Sequence, residues 1–121
     1  MRVMVLVKAT AWSEAGHPGE PEMFAAMGRY NDALRQAGIL RMADGLRPTS
    51  HGRRVAFDGE GRHVVEGPFV PAEAQVAGFW LWEVRDMAEA MAWAMKCPRP
   101  MPGPCEIEVR PLFEMGDLGL G

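Results

Sequence analysis

Three kinds of side chain are scarce in this 121-residue chain, which holds 2 cysteines, 3 histidines and 1 tyrosine. Cys97 and Cys105 flank the run PRPMPGP, and neither stands at metal-ligand spacing from another cysteine or a histidine. That pattern argues against a zinc site. The opening MRVMVLVKAT reads as a strand rather than an export signal, so a cytoplasmic location with both thiols reduced is expected. Long hydrophobic runs are missing too: none approaches the roughly 20 residues needed to cross a bilayer. Charge of one sign is also missing. The 13 Lys and Arg are scattered among 16 Asp and Glu for a net charge of -3, which leaves no basic footprint for nucleic acid or an anionic membrane surface. No phosphate-cradling glycine loop and no serine nucleophile elbow occurs. The residues imply no cofactor and no metal.

What is present is periodicity. Val3, Val5 and Val7 alternate with Met4, Leu6 and Lys8, a strand apolar on both faces that belongs inside a covered sheet. A Gly- and Pro-rich loop, SEAGHPGEP, then delivers the chain to a helix starting near Pro21. Met23, Met27, Tyr30, Leu34 and Ala37 form its apolar stripe, and Gly38 suits a left-handed cap. A short strand ends at DGLRP, and two strand-like runs flank the hairpin turn DGEG. The most apolar strand, VAGFWLWEV, sets Phe79 and Leu81 on one face and Trp80, Trp82 and Val84 on the other. Asp86 is a natural N-cap for a second helix, with Glu89 completing a capping-box pattern. Met87, Met91, Ala94 and Met95 form its stripe, with Ala90 and Trp93 alongside; CPRPMPGP ends it, and EIEVRPLF is a last strand. The methionines at helical spacing are expected in the core.

The order strand, helix, strand, hairpin, strand, helix, strand predicts a ferredoxin-like α+β fold with an inserted hairpin, in one domain over residues 1–114 followed by a flexible tail, 115–121. Both helices cover one face of the sheet. Either the valine face of the first strand or the Trp80 and Trp82 face is then left bare, an apolar area larger than a soluble monomer exposes. A two-fold homodimer packed sheet on sheet is the predicted remedy.

MGRYNDALRQAGIL, DGLRP, VEGPF, GFWLWEV, EAMAWAMKCP and EIEVRP follow one another in an order that resembles the YCII-related family, specifically its branch named for a DGPF motif. The resemblance covers nearly the whole chain. It implies a dimeric α+β barrel and, for some relatives, a genetic link to extracytoplasmic-function sigma factors, with no established reaction. Gly67, Pro68 and Phe69 match the motif, while its aspartate is Glu66 here. The broader family is credited with a His-Asp pair, yet the histidine position falls near Met27, which leaves only Asp44 to stand for the acid.

Asp44 precedes a glycine at a strand end and is either a turn acid bonding its own backbone or a general base in a cleft. Tyr30 on the helix stripe is a core residue with a bonded hydroxyl or the wall of a ligand cavity. Arg47, Arg53 and Arg54 are an anion site or a solvated surface. His51 and His63 read as surface residues, and His17 sits on a loop that could close over a pocket. Ligand-binding candidates are therefore Tyr30, Arg47, His51 and Glu66, with Asp44 the one catalytic candidate. Two readings follow: a non-catalytic dimeric module that binds a small ligand or a regulatory partner, and a small cofactor-free isomerase or oxygenase with Asp44 as base.

Overall fold

Parity along the first strand decides which face of the sheet becomes the core. The computed structural model describes residues 1–120 and places β1 at Arg2–Lys8, burying Val3, Val5 and Val7 and leaving Met4, Leu6 and Lys8 half-buried. β1 is central: β5 (Val76–Glu83) lies on one side and β6 (Ile107–Pro111) on the other, and β2 (Leu40–Gly45) extends the sheet beyond β5, in the order β2-β5-β1-β6. Every ladder is antiparallel. With α2 (Pro21–Gln36) and α3 (Met87–Ala94) joining these strands, this is the ferredoxin-like α+β arrangement.

Register overturns one expectation. Val3 pairs with Trp82, and Val5 with Trp80 on one side and Val109 on the other. Directly paired residues share a face, so the valines and the tryptophans form a single surface, and the helices cover both. The open face is the alternate set: Met4, Leu6, Phe79, Leu81 and Met42, with Glu108 and Arg110 toward β6. The two apolar sets are not rivals for one layer of helices, because antiparallel pairing puts them on the same side of the sheet. The core they share adds Tyr30, Leu34, Ile39, Val84, Ala90, Ala94 and Met101. Each fully buried Val or Leu in it contributes roughly 1.5–3 kcal/mol.

α2 begins with Pro21 at its first position, where the missing N–H costs nothing. It ends in a Schellman motif: Gly38, at φ 76°, donates to the Arg35 carbonyl and Ile39 donates to the Leu34 carbonyl. Ile39 and Leu34 are both buried, so the cap also carries the usual hydrophobic contact and aims the chain into β2. α3 is capped by Asp86, whose carboxylate accepts from the Glu89 N–H. Glu89 reaches back to the Arg85 N–H rather than to that of Asp86, so the box is displaced by one residue.

The stripe on α3 also needs correcting. Ala90 and Ala94 are its buried residues, while Met91 is 43% and Met95 82% exposed. Two small side chains let the helix sit low on the sheet, and the line Met91–Met95 is turned outward, above β6 and outside the core. The loop after β1 contains a helical turn that periodicity does not reveal, α1 (Ala11–Glu14), with Thr10 and Ser13 closing a capping box.

β3 (Arg53–Asp58) and β4 (Gly61–Glu66) form a separate two-stranded sheet around Gly59, whose φ of 58° has the sign a tight hairpin turn requires. The hairpin adds no residue to the core. The segment expected as a tail makes a 3-10 turn, Met115–Leu118, ended by left-handed Gly119, and Glu114 just before it holds Arg2 through two hydrogen bonds of 3.0 and 3.2 Å. The last residue, 121, lies outside the described residues.

Candidate functional site

Two missing side chains open a cavity on the helix-covered face of the sheet. Gly45 and Gly78 pair across β2 and β5, and Gly78 also pairs with Val7. This row lies on the helix-covered face but presents almost no volume there. A cavity of about 490 Å³ fills the space between that floor, the first turns of α2 and the segment around α1. Its size falls within the range of small-molecule sites. The walls are apolar: Trp12, Met23, Phe24, Met27, Trp80 and Met101. Trp12 stacks on His17 with ring centroids 5.6 Å apart, and Phe24 at the mouth is 64% exposed.

Polar groups in the cavity are few and oriented. Asn31 Oδ1 accepts a 2.8 Å bond from the Trp80 indole N–H, so its amide NH2 is directed elsewhere and has no protein partner among the described residues. The Ser13 hydroxyl is committed to the Thr10 backbone. Arg99 donates one guanidinium N–H to the Gly103 carbonyl at 2.9 Å and has no carboxylate partner among the described residues. Asp44 lines the cavity as well. It pairs with Phe79, however, and strand alternation sends both side chains to the open face, so their share of the lining is main chain.

The residues predicted from sequence do not gather here. The Asp44 side chain is exposed on the far face of the sheet from the cavity. Tyr30 is a core residue: its hydroxyl donates to the Trp93 carbonyl at 2.6 Å, its ring packs edge-on against Trp80, and burial holds its ionisation well above the usual tyrosine value. Arg47 and His51 are exposed, and Glu66 is exposed beside Arg53, 3.5 Å away. None of Tyr30, Arg47, His51 and Glu66 lines the cavity. The cysteines are free thiols, donating to the Pro98 and Met101 carbonyls. No group of three or more His, Cys, Asp or Glu suited to a metal ion occurs among the described residues.

Sequence reasoning missed Trp12, Phe24, Asn31 and Arg99. One signal was available for Phe24, an aromatic beside but off the buried stripe of an amphipathic helix, where nothing in the fold covers it. Asn31 has no such signal, because its orientation depends on Trp80, 49 residues away in sequence, and Arg99 has none because its bond to Gly103, though local, does not reveal that the side chain lines a cavity built from α1 and α2.

The GPF loop serves as a brace. A Cβ on Gly67 would stand 1.8 Å from the Thr49 carbonyl oxygen, so only glycine admits that approach. The Phe69 N–H donates to the Thr49 hydroxyl, which donates in turn to Glu14. Arg54 lies over the Phe69 ring at 3.7 Å. Hairpin root, Thr49 turn and α1 are thereby tied together, and α1 carries Trp12 into the cavity wall.

The family model for the YCII-related domain matches residues 1–115, and the chain belongs to that family. No curated protein matches it. Among the described residues no helix is long and apolar enough to cross a membrane.

Proposed function

We propose that this YCII-related protein is a dimeric, cytoplasmic small-molecule-binding module of the DGPF branch, with no catalytic role. The observation that carries this reading is the aromatic cavity above Gly45 and Gly78, which has oriented hydrogen-bond donors but no nucleophile, base and oxyanion set converging on one point. The enzyme alternative depends on Asp44, whose carboxylate faces the other side of the sheet. The dimer draws support from the apolar open face, where Met4, Leu6, Phe79 and Leu81 form a contiguous block on the two central strands.

A thermal-shift screen tests the binding reading, because a ligand that binds only the native state raises the melting temperature. Compounds that fit the cavity should raise it by several degrees. In Gly45→Leu the shift should vanish while the melting temperature of the free protein holds, since a Cβ there meets only the Ala77 carbonyl oxygen, at 4.0 Å. Shifts that persist in Gly45→Leu would place binding elsewhere and refute the reading.

A further inference from the structure

The chemistry of the cavity narrows its ligand, on the premise that the cavity binds one. Once Asp44 is assigned to the open face, the side chains that reach into the cavity present hydrogen-bond donors. These are the Asn31 amide NH2, freed by the bond from Trp80 to its oxygen, and the unpaired N–H groups of Arg99, with the His17 imidazole, stacked on Trp12, also in the lining. The remaining side-chain hydroxyl, that of Ser13, is already occupied in both directions. No acidic side chain faces the cavity to offset the guanidinium. Arg99 is held in place by Gly103 yet free of any ion pair among the described residues, so it keeps a planar fork for an incoming anion.

The rest of the surface is aromatic and thioether. Trp12 is stacked by His17, which fixes its plane, and Phe24 stands at the entrance with most of its surface in water. Flat rings favour a flat partner, since offset-stacked and edge-to-face pairs add about 0.5–1.5 kcal/mol each beyond the area they bury. The exposed Phe24 is the surface such a partner would cover.

We propose that the cavity takes an aromatic or conjugated carboxylic acid, its ring against Trp12 and Phe24 and its carboxylate on Arg99, with a further ring oxygen accepting from Asn31. Charge-assisted pairs are roughly twice as strong as neutral ones. Loss of the ligand's charge should therefore weaken binding by about tenfold.

The test compares 2-naphthoate with its neutral amide, 2-naphthamide, by calorimetry and by quenching of Trp12 and Trp80 fluorescence, in the wild-type chain, Arg99→Gln and Gly45→Leu. The acid should bind about tenfold more tightly than the amide. Arg99→Gln should reduce that ratio to about one, and Gly45→Leu should abolish binding of both. Equal binding of acid and amide to the wild-type chain overturns the proposed ligand class and leaves the binding function standing. A preference for the acid that survives Arg99→Gln removes Arg99 from the proposal. Absence of binding by either probe at millimolar concentration, or binding unaffected by Gly45→Leu, overturns the cavity reading itself.

Discussion

Gly67 shows how a single residue can be specified by backbone rather than by chemistry. Its missing Cβ makes room for the Thr49 carbonyl, and any side chain there must push two loops apart. Gly67→Ala is expected to cost about 1–3 kcal/mol, the usual range for forced overpacking, and to lower the melting temperature by several degrees. Glu66→Asp, which restores the motif's acid at an exposed position, should change stability by less than about 0.5 kcal/mol; a larger loss there than at Gly67 would reverse the assignment. Cys97 is the residue that links stability to pH. Burial, followed by the neighbouring Cys105 sulfur, pushes its thiol from 9.0 up to about 11. The folded chain keeps this proton at a pH where the unfolded chain has released it, so the contribution is complete below pH 9 and is lost as pH rises through 11. Urea midpoints measured from pH 8 to 10 should fall for the wild-type chain and fall less for Cys97→Ala. Parallel curves would remove Cys97 from the account, and the window ends where Tyr30, also raised by burial, begins to contribute in both proteins.

At the scale of elements, patterns carried by local chemistry were legible in the sequence. Pro21 and Gly38 bound α2, Asp86 starts α3, and the DGEG turn lies between β3 and β4. What needed the structure was anything decided by pairing across the sheet. Parity within β1 and β5 is plain from their sequences, yet only the register of Val5 against Trp80 shows that both apolar sets share one face. The cavity was illegible for the same reason, because Gly45 and Gly78 are ordinary strand glycines until they are paired. On α3, the helical stripe through Met87, Met91 and Met95 lies close to the Ala90–Ala94 line, and periodicity favours the larger side chains. Packing favours the smaller ones. Met95→Gln should therefore leave stability within about 0.5 kcal/mol, whereas Ala90→Leu should cost about 1–3 kcal/mol by lifting the helix from the sheet. Chemical denaturation of the two variants decides it, and a greater loss at Met95 would restore the methionine stripe to the core.

At the scale of the whole molecule, the single chain leaves apolar surface uncovered. The open face carries Met4, Leu6, Phe79, Leu81 and Met42, and the hairpin adds Val55, Phe57 and Val64, which are 54%, 70% and 61% exposed and share one face of that ribbon. A two-stranded ribbon is marginally stable at best by itself. A sheet-on-sheet dimer removes the first surface from water, and an arm reaching from each subunit toward the other would shelter the second. Stable interfaces bury upward of about 1,000 Å², an area that the open face of a sheet with four strands can supply. Light scattering at low micromolar concentration should give the mass of two chains. Leu81→Glu sets a carboxylate at the middle of the proposed contact while the side chains of Trp80 and Trp82 keep the covered face intact. This variant should give the mass of one chain with an unchanged circular-dichroism spectrum. If the wild-type chain is monomeric and well folded at that concentration, the sheet-on-sheet dimer is refuted. If Leu81→Glu stays dimeric, the contact lies elsewhere, and replacing Val55, Phe57 and Val64 with threonine then asks whether the hairpin alone holds it.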